Sequence, residues 1–98
     1  MHTATGSAIE GRLLRIRGGV QGVGFRWHLV EAATARDLQG WVRNRHDGSV
    51  EALVWGDAAQ VAELIHWAGY GPPHARVSAV EVALATERPQ GFVRLPDA

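Results

Sequence analysis

The sequence predicts an α+β fold, a two-layer sandwich of order β-α-β-β-α-β closed by a short terminal strand. Three observations carry this expectation. Apolar residues alternate at period two over four separate stretches. Two intervening stretches carry them instead at spacings of three and four, as an amphipathic helix does. Turn-forming residues fall between these stretches: the glycines from Gly18 to Gly24, Asp47-Gly48, and Gly69 to Pro73.

Each element can be read in order. Residues 1–10 are taken as a flexible N-terminus, being largely small and polar, and residues 11–98 as the folded domain. Arg12 to Arg17 forms the first strand, with Leu14 and Ile16 on one face and Leu13 on the other. Gly18 to Gly24, with four glycines in seven residues, is read as a loop. Arg26 to Arg36 is helical, with Leu29, Val30, Ala33 and Trp27 as its apolar stripe, and Asp37 closes it because Asp tolerates a left-handed cap. Gly40 to Asn44 and Ser49 to Trp55 are the second and third strands, joined by a hairpin at Asp47-Gly48. Asp57 caps the second helix, with Gln60 three residues on and Val61, Leu64, Ile65 and Ala68 facing inward. Val77, Val80, Val82 and Leu84 mark the fourth strand, and Phe92 to Leu95 the short terminal one. This order places two helices on one face of a mostly antiparallel sheet, the ferredoxin-like sandwich.

Composition narrows the function classes. At 98 residues there is room for one core. The net charge of zero lacks the broad basic footprint of a nucleic-acid binder. With no cysteine, thiolate metal sites and cysteine nucleophiles are excluded, and a cytoplasmic location is expected. The apolar runs are too short to span a membrane. His2, His28, His46, His66 and His74 show no metal-ligand spacing. Glu51 is read as a solvated strand position and Asp47 as turn chemistry.

The most informative stretch is Gly18-Gly19-Val20-Gln21-Gly22-Val23-Gly24-Phe25-Arg26. Glycines let successive backbone N–H groups turn inward, and a concavity of this kind at a helix N-terminus attracts an anion. Alone, such a run is also compatible with a plain tight turn. Arg26 can be read as a solvated helix residue or as an anion ligand; a cation in a first turn opposes the helix dipole, which adds weight to the second reading, and its fork suits two phosphate oxygens. No Gly-Lys-Ser/Thr follows, so this is not a Walker loop, and the third glycine of a dinucleotide fingerprint is missing. On residue type alone, Asn44 is a hairpin residue.

Val20-Gln21-Gly22-Val23-Gly24-Phe25-Arg26, followed by Gly40-Trp41-Val42-Arg43-Asn44 and Asp47-Gly48-Ser49-Val50-Glu51, resembles the paired signature of the acylphosphatases. The likeness extends to Gly71-Pro72-Pro73-His74-Ala75-Arg76-Val77 and to Gly91-Phe92, covering Arg12 to Leu95. It implies the same sandwich fold and hydrolysis of acyl phosphates to a carboxylate and inorganic phosphate, without metal or cofactor. It implies further that Arg26 holds the phosphate, that Asn44 orients the attacking water, and that the backbone of Gln21, Gly22, Val23, Gly24, Phe25 and Arg26 forms the phosphate cradle. Phosphate would then be product and competitive inhibitor of a monomeric enzyme. Gly19 and Asp37 depart from the family's usual basic or polar residue and helix-ending glycine. The alternative is a non-catalytic phosphate- or carbamoyl-phosphate-binding regulatory module on the same fold. An RNA-binding sandwich would expose aromatic and basic residues on its sheet, where the third strand offers Val50, Ala52 and Val54.

Overall fold

Strand pairing and helix amphipathicity assemble the elements as the apolar pattern requires. A computed structural model describes residues 8–98. In chain order it holds β1 (Ile9–Gly19), α1 (Phe25–Ala35), β2 (Gln39–Asn44), β3 (Val50–Asp57), α2 (Ala58–Ala68), β4 (Arg76–Leu84) and β5 (Phe92–Arg94). The five strands lie in the order β4-β1-β3-β2-β5. All pairs are antiparallel except β2 with β5. Among the described residues no helix is long and apolar enough to cross a membrane.

Alternation decides which face is covered. Leu14 and Ile16 of β1, Val42 of β2, and Val50, Ala52 and Val54 of β3 point to the helix side. There they meet Phe25, Leu29 and Ala33 of α1 and Val61, Leu64 and Ala68 of α2 in one buried cluster. A large apolar side chain fully removed from water contributes about 1.5–3 kcal/mol, so this cluster supplies the main driving force. Phe25, 2% exposed, stacks edge-on against Trp67 at 5.5 Å and ties the start of α1 to α2.

Both helix ends follow their sequence signals. Asp57 accepts a hydrogen bond from the Gln60 backbone N–H at 3.3 Å. Asp37 sits at φ 56°, while the N–H groups of Asp37 and Leu38 return to the carbonyls of Thr34 and Ala33.

Four expectations are corrected. First, β1 starts at Ile9, inside the segment 1–10 read as flexible, because Ile9 and Glu10 pair with Asp57 and Gly56; residues 1–7 lie outside the described residues. Second, Gly18 and Gly19 belong to β1 rather than to the loop, opposite Val77 and Arg76. A β-bulge makes this possible: Arg17 faces Ala79 and Gly18 faces Val77, leaving Ser78 as the extra residue. Gly18 takes φ 123° there. The bulge also turns Val77 to the same side as Val80, and both pack on the core. Third, Glu51 is not solvated. It is 6% exposed on the helix-free face and receives Arg43 at 2.8 Å, Arg15 at 3.3 Å and Arg45 at 3.4 Å. Fourth, Trp27 is 54% exposed, and the inward stripe of α1 is Phe25, Leu29 and Ala33.

Candidate active site

The loop between β1 and α1 is short, so its geometry is dictated residue by residue. Gly22 and Gly24 both take φ 77°, a left-handed conformation that other residues adopt at a cost. Gly24 is the N-cap of α1, and among the described residues no side chain caps this helix. Its first turn carries no acidic residue either. Among the described residues, the N–H groups of Phe25, Arg26 and Trp27 therefore have no protein acceptor, and the positive end of the helix is not neutralised.

Those groups open onto a cavity of about 80 Å³, lined by Val20, Gly22, Gly24, Phe25, Arg26, Trp27, Asn44 and Arg94. The size suits a single phosphoryl group. Larger depressions elsewhere, such as the apolar groove by Trp67 and Tyr70, lie away from these residues. Arg26 and Asn44, 18 positions apart in the chain, thus share one small polar site. Among the described residues, no group of three or more His, Asp or Glu side chains is arranged to hold a metal ion.

Asn44 is the last residue of β2 and points to the helix side, 8% exposed. Its side-chain oxygen Oδ1 is buried and has no hydrogen-bond partner among the described residues. Such an orphan costs about 1–3 kcal/mol unless something in the cavity satisfies it. An O–H donor, such as a water, does so directly.

Not every loop residue lines the cavity. Gln21 points away, and its side-chain Nε2 donates to the carbonyls of Arg45 at 2.7 Å and Ser49 at 2.9 Å. It fastens the loop to the β2–β3 hairpin that carries Asn44. Val23 packs against the core instead of facing the cavity. The hairpin is held from within: Asp47 Oδ1 accepts from the Ser49 N–H at 3.0 Å and from its hydroxyl at 2.6 Å. These bonds, with help from Arg15 and Arg17, lower the Asp47 carboxyl from its ordinary value to about 2.

Sequence reasoning missed three site residues. Arg94 of β5 reaches the cavity because β5 runs parallel to β2, with Arg94 opposite Val42 on Asn44's side of the sheet. Beyond it the chain continues along β2. Leu95 N–H donates to Val42, Ala98 N–H to Asn44, and His46 N–H to Ala98. That path puts Asp97 Oδ1 3.2 Å from Arg26 Nη1. Trp27, read as core, forms an exposed wall of the cavity. For Arg94 the one available signal was a lone charge inside the apolar run Phe92 to Leu95; nothing local marks Asp97.

The chain is similar to known proteins over most of its length. The acylphosphatase family model matches residues 13–93. An acylphosphatase of Azoarcus sp. (strain BH72) is 55% identical over 91 residues, 92% of this chain and 93% of that protein. One from Thermococcus kodakarensis is 54% identical over 81% of this chain and 85% of its own. The solved structure of an acylphosphatase from Coxiella burnetii superposes with a TM-score of 0.85 at 32% identity, covering 89% of this chain and 93% of that one.

Proposed function

This chain belongs to the acylphosphatase family and hydrolyses acyl phosphates, and we propose that Arg26 and the loop N–H groups hold the phosphate while Asn44 holds the water. The observation that carries this reading is the unpaired, buried Oδ1 of Asn44 in the same cavity as Arg26 and the uncapped N-terminus of α1.

The chemistry requires little more. The leaving carboxylate has a conjugate acid of pKa about 4, so it departs without a general acid. Catalysis then consists of positioning and of stabilising charge on the equatorial oxygens. The N–H groups of Phe25, Arg26 and Trp27 and the guanidinium of Arg26 supply that stabilisation. Arg94 adds a second cation on the cavity wall. Asn44 accepts one water hydrogen and aims the water's lone pair at phosphorus, in line with the departing carboxylate. A neutral amide cannot take up the proton, so it passes to a phosphate oxygen of the substrate. The reaction needs no metal or cofactor. Inorganic phosphate, once formed, occupies the same cradle and competes with substrate. Every group named comes from one chain, so a monomer suffices.

Hydrolysis of an aryl acyl phosphate in the presence of a chelator tests the reading. Wild type stays active, Asn44→Ala loses most of kcat yet is still inhibited by phosphate, and Arg26→Ala loses both turnover and phosphate inhibition. Near wild-type turnover by Asn44→Ala would reject its role. The same assay distinguishes a non-catalytic binding module, which would bind phosphate without turnover.

A further inference from the structure

His28 lies one turn into α1, and its ring Nδ1 is 2.9 Å from the carbonyl oxygen of Gly24. A carbonyl only accepts, so Nδ1 carries the proton in this contact. The same oxygen also receives the His28 backbone N–H at 3.1 Å, the first intrahelical bond of α1. The Gly24 carbonyl belongs to the peptide unit whose other end is the Phe25 N–H. In a trans peptide the two point in opposite directions, and the described residues contain no cis bond. As the Gly24 carbonyl points down the helix toward His28, the Phe25 N–H points out of its N-terminus, and Phe25 lines the cavity.

We propose that His28 is a positioning residue for the phosphate cradle, acting through this peptide. Its Nδ1–H braces the Gly24 carbonyl and holds the left-handed turn at Gly24, where φ is 77° and ψ is 20°. It also polarises the peptide, so that the Phe25 N–H is a stronger donor toward an anion. His28 touches neither substrate nor the reacting atoms. The inference rests on the cradle assigned above and assigns a mechanism to one of its donors.

Inorganic phosphate is the probe, and the whole chain labelled with ¹⁵N is the sample. In the wild type the neutral His28 ring carries its proton on Nδ1, and the Phe25 amide shifts as phosphate is added. In His28→Leu the phosphate midpoint weakens about two- to fourfold, since one neighbouring bond strengthens a charge-assisted one by a modest fraction. The Phe25 shift shrinks with it, while the thermal midpoint holds. His28→Asn, whose Nδ2 sits as many bonds from Cα as Nδ1 does, restores both. A neutral His28 protonated on Nε2, or a His28→Leu variant with wild-type phosphate response at Phe25, would overturn the proposal. A wild-type Phe25 amide that ignores phosphate would overturn the cradle itself, and this inference with it.

Discussion

Asp97 holds the guanidinium of Arg26, with Oδ1 3.2 Å from Nη1. Both side chains are partly exposed, so the pair contributes little to stability. Its consequence is electrostatic. The carboxylate engages one Arg26 nitrogen, leaving the others for the proposed phosphate, beside which it would set a negative charge. Like charges about 4 Å apart and fully screened by water repel by about 1 kcal/mol. Asp97→Asn is therefore expected to tighten phosphate inhibition roughly fivefold at low ionic strength, with the gain fading in high salt. Inhibition constants measured across a salt series check this; weaker inhibition would show instead that orientation of Arg26 outweighs the repulsion.

Gln21 joins the loop to the hairpin through a single amide nitrogen. The carbonyls it reaches keep other partners, since Arg45 O receives Gly48 N–H and Ser49 O receives Arg45 N–H. Gln21→Leu should thus cost only about 1 kcal/mol of stability. Its effect on turnover should be larger, about tenfold or more in kcat, because the loop and Asn44 lose their fixed separation. Thermal melts and kcat measured side by side separate the two; a kcat that stays at the wild-type level would rule out a positioning role.

Acid should unfold the protein in part through Asp47. Its folded carboxyl is lowered to about 2, first by the Ser49 hydroxyl and backbone N–H, then by Arg15 and Arg17. The unfolded value is about 3.9. A depressed folded pKa means the contribution is present above pH about 4 and lost as pH falls toward 2. Glu51 acts in the same direction: burial pushes its carboxyl up, but Arg43 and Arg15 together overcome this and hold it below its ordinary value. The thermal midpoint of the wild type should fall steeply over that window, and Ser49→Ala should show a shallower fall. Parallel curves would remove Asp47 from the acid response.

Asp37 occupies φ 56° at the end of α1. An L-residue there gives up about 1–2 kcal/mol that glycine does not, partly offset by glycine's greater freedom in the unfolded chain. Asp37→Gly should raise stability by about 0.5–1 kcal/mol and leave kcat unchanged, as read by denaturant titration and assay.

Much of this protein was legible in the sequence because the signals are local. Alternation at Leu14 and Ile16 or Val50, Ala52 and Val54, the caps at Asp57 and Asp37, and the Asp47-Gly48 turn each act over a few residues. Gly22, Gly24 and Arg26 likewise carry the signal for the proposed anion site within one loop. The tertiary structure decided whatever depends on strands brought together from distant positions. Pairing of β1 with β3 and β4 drew Ile9, Gly18 and Gly19 into the sheet. Glu51 became buried because Arg15 and Arg43 stand on the strands to either side of its own. Parallel pairing of β5 with β2 carried Arg94 and then Asp97 to Arg26. Contacts 36 or 71 residues apart leave no local trace, since they follow from strand register, and register is settled only when the whole sheet closes on its core.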